Sequence, residues 1–456
     1  MNKRNMVIVL TVIIAGLIGT AVGMNGAMNK KVETTSNQII TSSGEDIREE
    51  NQLLAESGES TKKEEEQTQP QKKMPDSVKA VYATGWVMGT PSLRKSMITS
   101  IKENGFNAIV IDIKDEAGQL TYDSTVPTAV SIGASRAMVK DIKSVINELK
   151  ENDIYVVGRI VTFKDPIFAS NVDEVSYKME DSSIWHDYSG KCWPNPYNEK
   201  SWEYPIALAK EAAELGFEEI QFDYVRFPSS EGRTRTIAYG FESASKSKAD
   251  TICAFLEKVM AEMEEYHIPI SADVFGITTK RNGDFENIGQ DFARIADIVD
   301  VVCPMVYPSH YGYGEYKYAR PDKNPYGIIY ASLEDAMKRL DSFNGKESGE
   351  IVEEVDNEVS GELVETEEIK TEEIREKNIQ KLKEYGVNIR PYLQDFTASW
   401  LGSGNYLVYG TEEVKDQIQA GFDLGIEDFC LWDPSNKYCY EALNLIKEKT
   451  QEPLEN

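Results

Sequence analysis

The chain has 456 residues, of which 41% are hydrophobic and 10% aromatic, enough for a sizeable core in one large domain or in two or three smaller ones. A formal net charge of −28 excludes nucleic acid as a natural partner, because a phosphate backbone needs a basic surface. His186, His267 and His310 lie far apart, which excludes a histidine-based metal centre and leaves open only a carboxylate site for a hard cation. No cofactor is expected. Cys192, Cys253, Cys303, Cys430 and Cys439 contain no CxxC pair, and Cys303 and Cys430 sit in apolar runs. Buried thiols are expected rather than a disulfide framework.

Lys3 and Arg4 precede an apolar and small-residue run, Met6 to Val22, the pattern of a signal peptide or an N-terminal membrane anchor. Ala21 and Gly23 offer a cleavage site, and the run is nearly long enough to span a bilayer. The basic flank would keep the N-terminus inside and place everything downstream outside. Residues 1–28 are assigned to this segment. Residues 29–77, rich in Glu, Lys, Gln, Ser and Thr, cannot bury enough apolar surface to offset their ordering entropy. A disordered tether is expected there.

From Val78 the pattern changes to alternating strand-like and helical runs. Strands are predicted at Val81–Val87, Ala108–Lys114, Ile154–Phe163, Glu219–Phe227, Pro269–Gly276, Ile298–Tyr307, Asn388–Phe396 and Asp428–Asp433. Helical stretches lie between them, and several end in a helix-stop glycine followed by a strand, as at Gly105, Gly216, Gly386 and Gly425. Eight βα units predict a (β/α)₈ barrel over residues 78–450, and no GxGxxG follows the first strand to suggest a dinucleotide fold. Gly345–Glu376 interrupts the sixth unit before the seventh strand with 13 acidic and 3 basic residues, a local charge of −10. It reads as a solvated insertion, partly helical near Ile369–Lys383.

In a barrel covered by helices, the apolar set of each strand faces outward. In Gly216–Pro228, Ile220, Phe222 and Tyr224 alternate with Gln221, Asp223 and Val225, so Asp223 faces inward near the strand's carboxyl end. The same rule places Asp112, Lys114, Arg159, Asp273, Tyr307, Gln394 and Trp432 in the upper interior. Asp395 and Asp433 carry outward parity and stand in reserve. A barrel interior is normally filled by Val, Ile and Leu. So many polar groups there require either a compensated ion network or an active site, and the latter is expected. Two long segments, Lys164–Ser201 and Ser309–Tyr330, would overlie this face with Trp185, Trp193, Tyr313 and other aromatics suited to sugar rings.

Six motifs in series carry a resemblance: VYATGW (81–86), IDIKDE (111–116), GRIVTFKDP (158–166), IQFDYVRFP (220–228), PMVYP (304–308) and RPYLQDF (390–396). The sequence resembles the bacterial putative glycosyl hydrolase domain family, a TIM-barrel family, from about Val78 to Tyr440 apart from the acidic insertion. The resemblance implies a glycosidase-like barrel. Kinship to wider groups of barrel glycosidases implies a carboxylate nucleophile after the fourth strand, matching Asp223. The acid/base Glu that amylase-like members place after the fifth strand is absent here, where Asp273 precedes Phe275 and Gly276.

Glycoside hydrolysis needs two carboxyl groups flanking the bond, one protonated and one ionised. Asp223 and Asp273, on neighbouring strands about 4.8 Å apart, suit the roughly 5–5.5 Å separation of a retaining pair. Mutual repulsion would supply the acid, while Lys114, Arg159 or Arg226 would hold the other group ionised. A partnership with Asp112 instead would leave room for a water and invert. The expectation is an extracellular glycoside hydrolase acting on a cell-envelope or environmental polysaccharide. Asp223 and Asp273 are its catalytic pair, and Asp112, Lys114, Arg159, Arg226, Tyr307, Gln394 and Trp432 contact substrate. A non-catalytic carbohydrate-binding barrel is the alternative, favoured if the two aspartates are tied up in salt bridges with Lys114 and Arg159. A surface scaffold whose acidic insertion recruits a partner is the third.

Overall fold

The computed structural model describes residues 74–229, 233–240, 245–281, 283–345 and 362–451. The N-terminal anchor or signal, nearly all of the tether and half of the acidic insertion lie outside these residues.

Nine parallel strands form the sheet: β1 (Lys79–Ala83), β2 (Ala108–Lys114), β3 (Tyr155–Val161), β4 (Glu219–Asp223), β5 (Ile270–Phe275), β6 (Val301–Met305), β7 (Asn388–Ile389), β8 (Tyr392–Gln394) and β9 (Phe429–Trp432). β7 and β8 are two halves of one stave, broken at Pro391, which has no N–H to give to the ladder. Pairing runs β1 to β6 in order, through β7 and β8 to β9, and β9 returns to β1, so the sheet closes as an eight-staved barrel. This is the (β/α)₈ arrangement. The helices Pro91–Glu103, Ile142–Glu151, Lys200–Leu215, Lys248–Met263, Pro325–Phe343 and Thr411–Asp423 follow their strands in turn. Lys200–Leu215 shows how local sequence sets an element. Trp202, Ile206, Ala209 and Ala212 repeat at helical spacing and are buried, and Gly216 ends the helix at φ +103, where a side chain would be strained.

The core has two shells. Between strands and helices lie Ile109, Ile111, Val156, Ile160, Ile220, Phe222 and Val274, the outward sets of their strands. Inside the barrel lie Ala80, Tyr82, Val110, Tyr155, Val157, Cys303, Tyr307, Tyr392 and Cys430. All five cysteines are free, and four are buried.

The barrel floor is charged. Arg390 and Glu219, both without solvent exposure, meet through Nη1–Oε1 at 2.7 Å and Nη2–Oε2 at 3.1 Å. Ser271 and Tyr155 donate their hydroxyls to the same carboxylate at 2.6 and 3.2 Å. Removing one ion of such a pair strands the other. Arg390→Met should therefore cost about 3–5 kcal/mol of unfolding free energy in a urea titration. Combining it with Glu219→Leu should recover part of that loss, and an unchanged denaturation midpoint in Arg390→Met would contradict the reading.

The helix Glu362–Tyr385 extends the helical stretch expected near 369–383 and revises the reading of the insertion. Arg375 pairs with Glu427, and Asn378 Nδ2 donates to the Leu424 carbonyl at 3.0 Å. Ile374 packs on the core. The C-terminal end of the acidic stretch is thus part of the barrel's outer layer and not a solvated loop.

Candidate active site

Four neighbouring strands converge on one guanidinium. Arg159 of β3 is 6% exposed, with Asp112 of β2 on one side and Asp223 of β4 on the other. Its Nη1 donates to Asp112 Oδ1 at 2.5 Å, and Nε donates to Asp223 Oδ2 at 3.0 Å, with Nη2 on the same oxygen. Asp273 Oδ2, from β5, stands 3.9 Å from Nε. The Asp223 and Asp273 oxygens are therefore no further apart than those two Nε contacts laid end to end. Tyr82 of β1 donates its hydroxyl to the other oxygen of Asp112, and its ring packs against Trp432 of β9, tilted by 31° with centroids 4.0 Å apart.

The two aspartates differ in how their charge is met. Asp223 receives the Arg159 fork on one oxygen and the Tyr224 N–H on the other. Tyr224 takes up φ +51, a left-handed conformation strained for a residue with a side chain. Asp273 is 1% exposed, and its Oδ1 has no hydrogen-bond partner. Burial first, and then the charge of Asp223, push its pKa well above the ordinary carboxylate range, with Arg159 opposing.

Of the remaining residues expected here, Tyr307 and Trp432 are in place. Tyr307 is buried, and among the described residues its hydroxyl has no hydrogen-bond partner. Trp432 is half-buried at the mouth, 5.4 Å from the Arg159 guanidinium carbon. Asp112 is in place too, but Arg159 and Tyr82 take both its oxygens, so it positions Arg159 instead of reaching a substrate. Arg226 lies at the mouth under a cage of aromatic rings.

Two expectations are corrected. Lys114 does not enter the barrel. The register slips between Asp112 and Lys114, a bulge that reverses its parity, and its Nζ pairs with Asp165 at 2.6 Å where both groups are fully buried. Gln394 does face inward, but its amide is consumed by the scaffold. It accepts from Ser309 N–H at 3.1 Å and donates to Asp322 Oδ1 and the Phe396 carbonyl, each at 3.0 Å. The reserve acids are structural as well: Asp395 accepts from Cys439 N–H at 2.7 Å, and Asp433 accepts from Ser435 and Lys437 N–H.

Tyr82 was missing from the expected set although VYA alternates legibly, with Val81 and Ala83 outward. A second cluster, Glu116 with Lys164 at 2.9 Å and the Tyr224 hydroxyl at 3.2 Å, is not in the expected set because Glu116 and Lys164 lie beyond their strands, and Tyr224, expected in the outward set, lies just past the end of β4. Most aromatics of the loop after β3 pack that loop: Trp185, Trp193 and Tyr197 are buried. Exposed rings remain on loops following the strands' carboxyl ends, namely Trp86 after β1, Tyr188 after β3, Tyr313 after β6 and Trp400 after β8.

The model of the family described as "Putative glycosyl hydrolase domain" matches residues 80–349 and 359–438. The chain belongs to that family. Membership supports the enzyme class, a glycoside hydrolase. The chain is similar to a solved hypothetical protein from Ruminiclostridium thermocellum, at 36% identity over 42% of this chain and 97% of that one, with a TM-score of 0.40. The glycoside hydrolase domain of PgaB (BpsB) from Bordetella bronchiseptica shares the fold at 11% identity, covering 82% of this chain and 97% of that one, with a TM-score of 0.50. The catalytic domain of a β-amylase from Paenibacillus polymyxa is similar at 13% identity over 80% and 95% of the two chains, with a TM-score of 0.42. No curated protein matches the sequence.

Proposed function

We propose that this family member hydrolyses a cell-envelope or environmental polysaccharide outside the cell, with Asp223 as the ionised carboxylate and Asp273 as the proton donor. One observation carries the reading: two aspartates share Arg159, yet only Asp223 is fully compensated, while Asp273 keeps an unpartnered buried oxygen. A protonated Asp273 can give its proton to the leaving glycosidic oxygen, and Asp223 can attack or activate water on the other side. Both approach the same nitrogen, which suits the shorter, retaining separation. The exposed rings around the mouth offer platforms for neighbouring sugars.

The non-catalytic reading has two observations in its favour, the Asp223–Arg159 salt bridge and the longer Asp273–Arg159 ion pair at 3.9 Å. Lys114 plays no part, and the Asp273 contact is too long for a hydrogen bond and leaves its Oδ1 without a partner among the described residues. A product test separates the readings, because a non-catalytic barrel releases no product from any glycoside. A retaining hydrolase acting on an aryl glycoside of the correct sugar should release product of unchanged anomeric configuration, followed by NMR at early times. Inverted product would transfer the base role to a more distant carboxylate.

The N-terminal run Met6–Val22 after Lys3 and Arg4 supports a tethered enzyme with its barrel outside. Protease added to intact cells should then release a fragment beginning near Ser77. Full-length protein in the cytosol would contradict this placement, and a mature form starting near Met24 would mean secretion.

A further inference from the structure

Arg226 is a cation at the barrel mouth that neither the scaffold nor the proposed chemistry uses. It lies three residues beyond Asp223 and is only 7% exposed. The rings of Phe275, Tyr224 and Trp193 surround its guanidinium carbon at 4.5, 4.9 and 5.3 Å. Among the described residues it makes no ion pair. Its one hydrogen bond runs from Nη1 to the Phe227 carbonyl at 2.9 Å. The other mouth cations differ: Lys164 is paired with Glu116, Lys280 with Glu315, and Arg159 with its aspartates. Among the described residues Nε and Nη2 of Arg226 have no hydrogen-bond partner, and neither is among the buried unpartnered atoms.

A guanidinium stripped of most of its water and given no ion-pair partner is costly for the folded chain alone, even with the charges of Asp223, Glu286 and Asp187 acting at longer range. The aromatic cage offsets part of that cost and fixes the plane of the group. What remains open is one edge, Nε with Nη2, whose two parallel N–H groups match the two oxygens of a carboxylate. Phe275, which Arg226 covers, stands two residues past Asp273 on β5. The open edge therefore belongs to the same mouth as the paired aspartates.

We propose that Arg226 is the anion-binding element of a sugar subsite, and that the glycan recognised carries a carboxylate on a ring close to the cleaved bond, as uronic acids do. This rests on the glycosidase reading and narrows its substrate class from polysaccharides in general to acidic ones. The net negative charge of the chain opposes a polyanion only over distances that physiological salt screens beyond about 8 Å. Within the cage the contact is short, desolvated and bidentate.

The test uses the full chain carrying Asp223→Asn, so that binding is read without turnover. Oligogalacturonate, hyaluronan and alginate oligosaccharides are titrated calorimetrically beside their carboxyl-reduced counterparts. At least one acid should bind tenfold or more tightly than its reduced form. Adding Arg226→Met should erase that preference, and Arg226→Lys, which keeps the charge without the fork, should restore only part of it. Equal binding of acids and reduced forms, or a preference that survives Arg226→Met, overturns the proposal. Asp223-dependent hydrolysis of a neutral glycan, unchanged in Arg226→Met, would remove the acidic subsite and leave the glycosidase standing. Acid preference in a wild-type protein that never releases reducing ends would do the reverse.

Discussion

Asp223→Asn should lower turnover by at least three orders of magnitude, about what the loss of a positioned covalent or basic catalyst costs. The amide keeps the size of the side chain and can still accept from Arg159 Nε, so binding should change far less than rate. Stability should fall, but by less than the roughly 3–5 kcal/mol of a stranded buried charge. Arg159 retains Asp112 at 2.5 Å and Asp273 nearby, so its charge is not left alone. Turnover and thermal melting on the same preparations check both halves. A large collapse in stability with unaltered rate in the remaining folded fraction would make Asp223 a structural ion and nothing more.

Asp273→Asn should be nearly as damaging on natural glycosides, by a factor of about 10²–10⁴, because the leaving oxygen then departs unprotonated. The loss should shrink on aryl glycosides with acidic leaving groups, which need no proton. In the wild type, activity should fall on the alkaline side as Asp273 gives up its proton. The same residue sets a pH dependence of stability. Its folded pKa is raised above the unfolded value of 3.8 by burial and by Asp223. Its contribution is therefore fully present below pH 3.8 and is lost as pH rises through the raised value. Asp273→Asn removes this loss, so the variant should gain stability relative to wild type as pH climbs. Denaturant titrations at several pH values measure it, and a constant difference between the two proteins would contradict the assignment.

The barrel was legible because its signal is redundant. Eight apolar runs, each separated by a helix and several opened by a stop glycine, leave little freedom of topology, and Gly216 shows the reason in its positive φ. The facing of Asp112, Arg159, Asp223 and Asp273 followed from two-residue alternation alone. The same rule failed at Lys114, where one extra residue in β2 reverses parity and no residue type announces a bulge. It was right about the direction of Gln394 and silent about its neighbours, since the Ser309 N–H, the Asp322 carboxylate and the Phe396 carbonyl claim its amide. The Asp223–Arg159 contact was one of three cation pairings that the sequence left open. Alternation says that two side chains share an interior, not which oxygen meets which nitrogen. The helix at the end of the acidic run was expected, but not its docking on the barrel, because a charged surface can conceal a few anchoring residues, here Ile374 and Arg375.

The central claim is that the Asp223–Asp273 pair performs hydrolysis and does not merely line a sugar-binding barrel. Reducing-end release from a panel of cell-envelope polysaccharides, compared among wild type, Asp223→Asn and Asp273→Asn at equal protein concentration, tests it most directly. The account predicts new reducing ends with the wild type and essentially none with either variant, although both variants still bind the polymer. Equal release by wild type and Asp223→Asn, or tight binding by all three with no release by any, would contradict it.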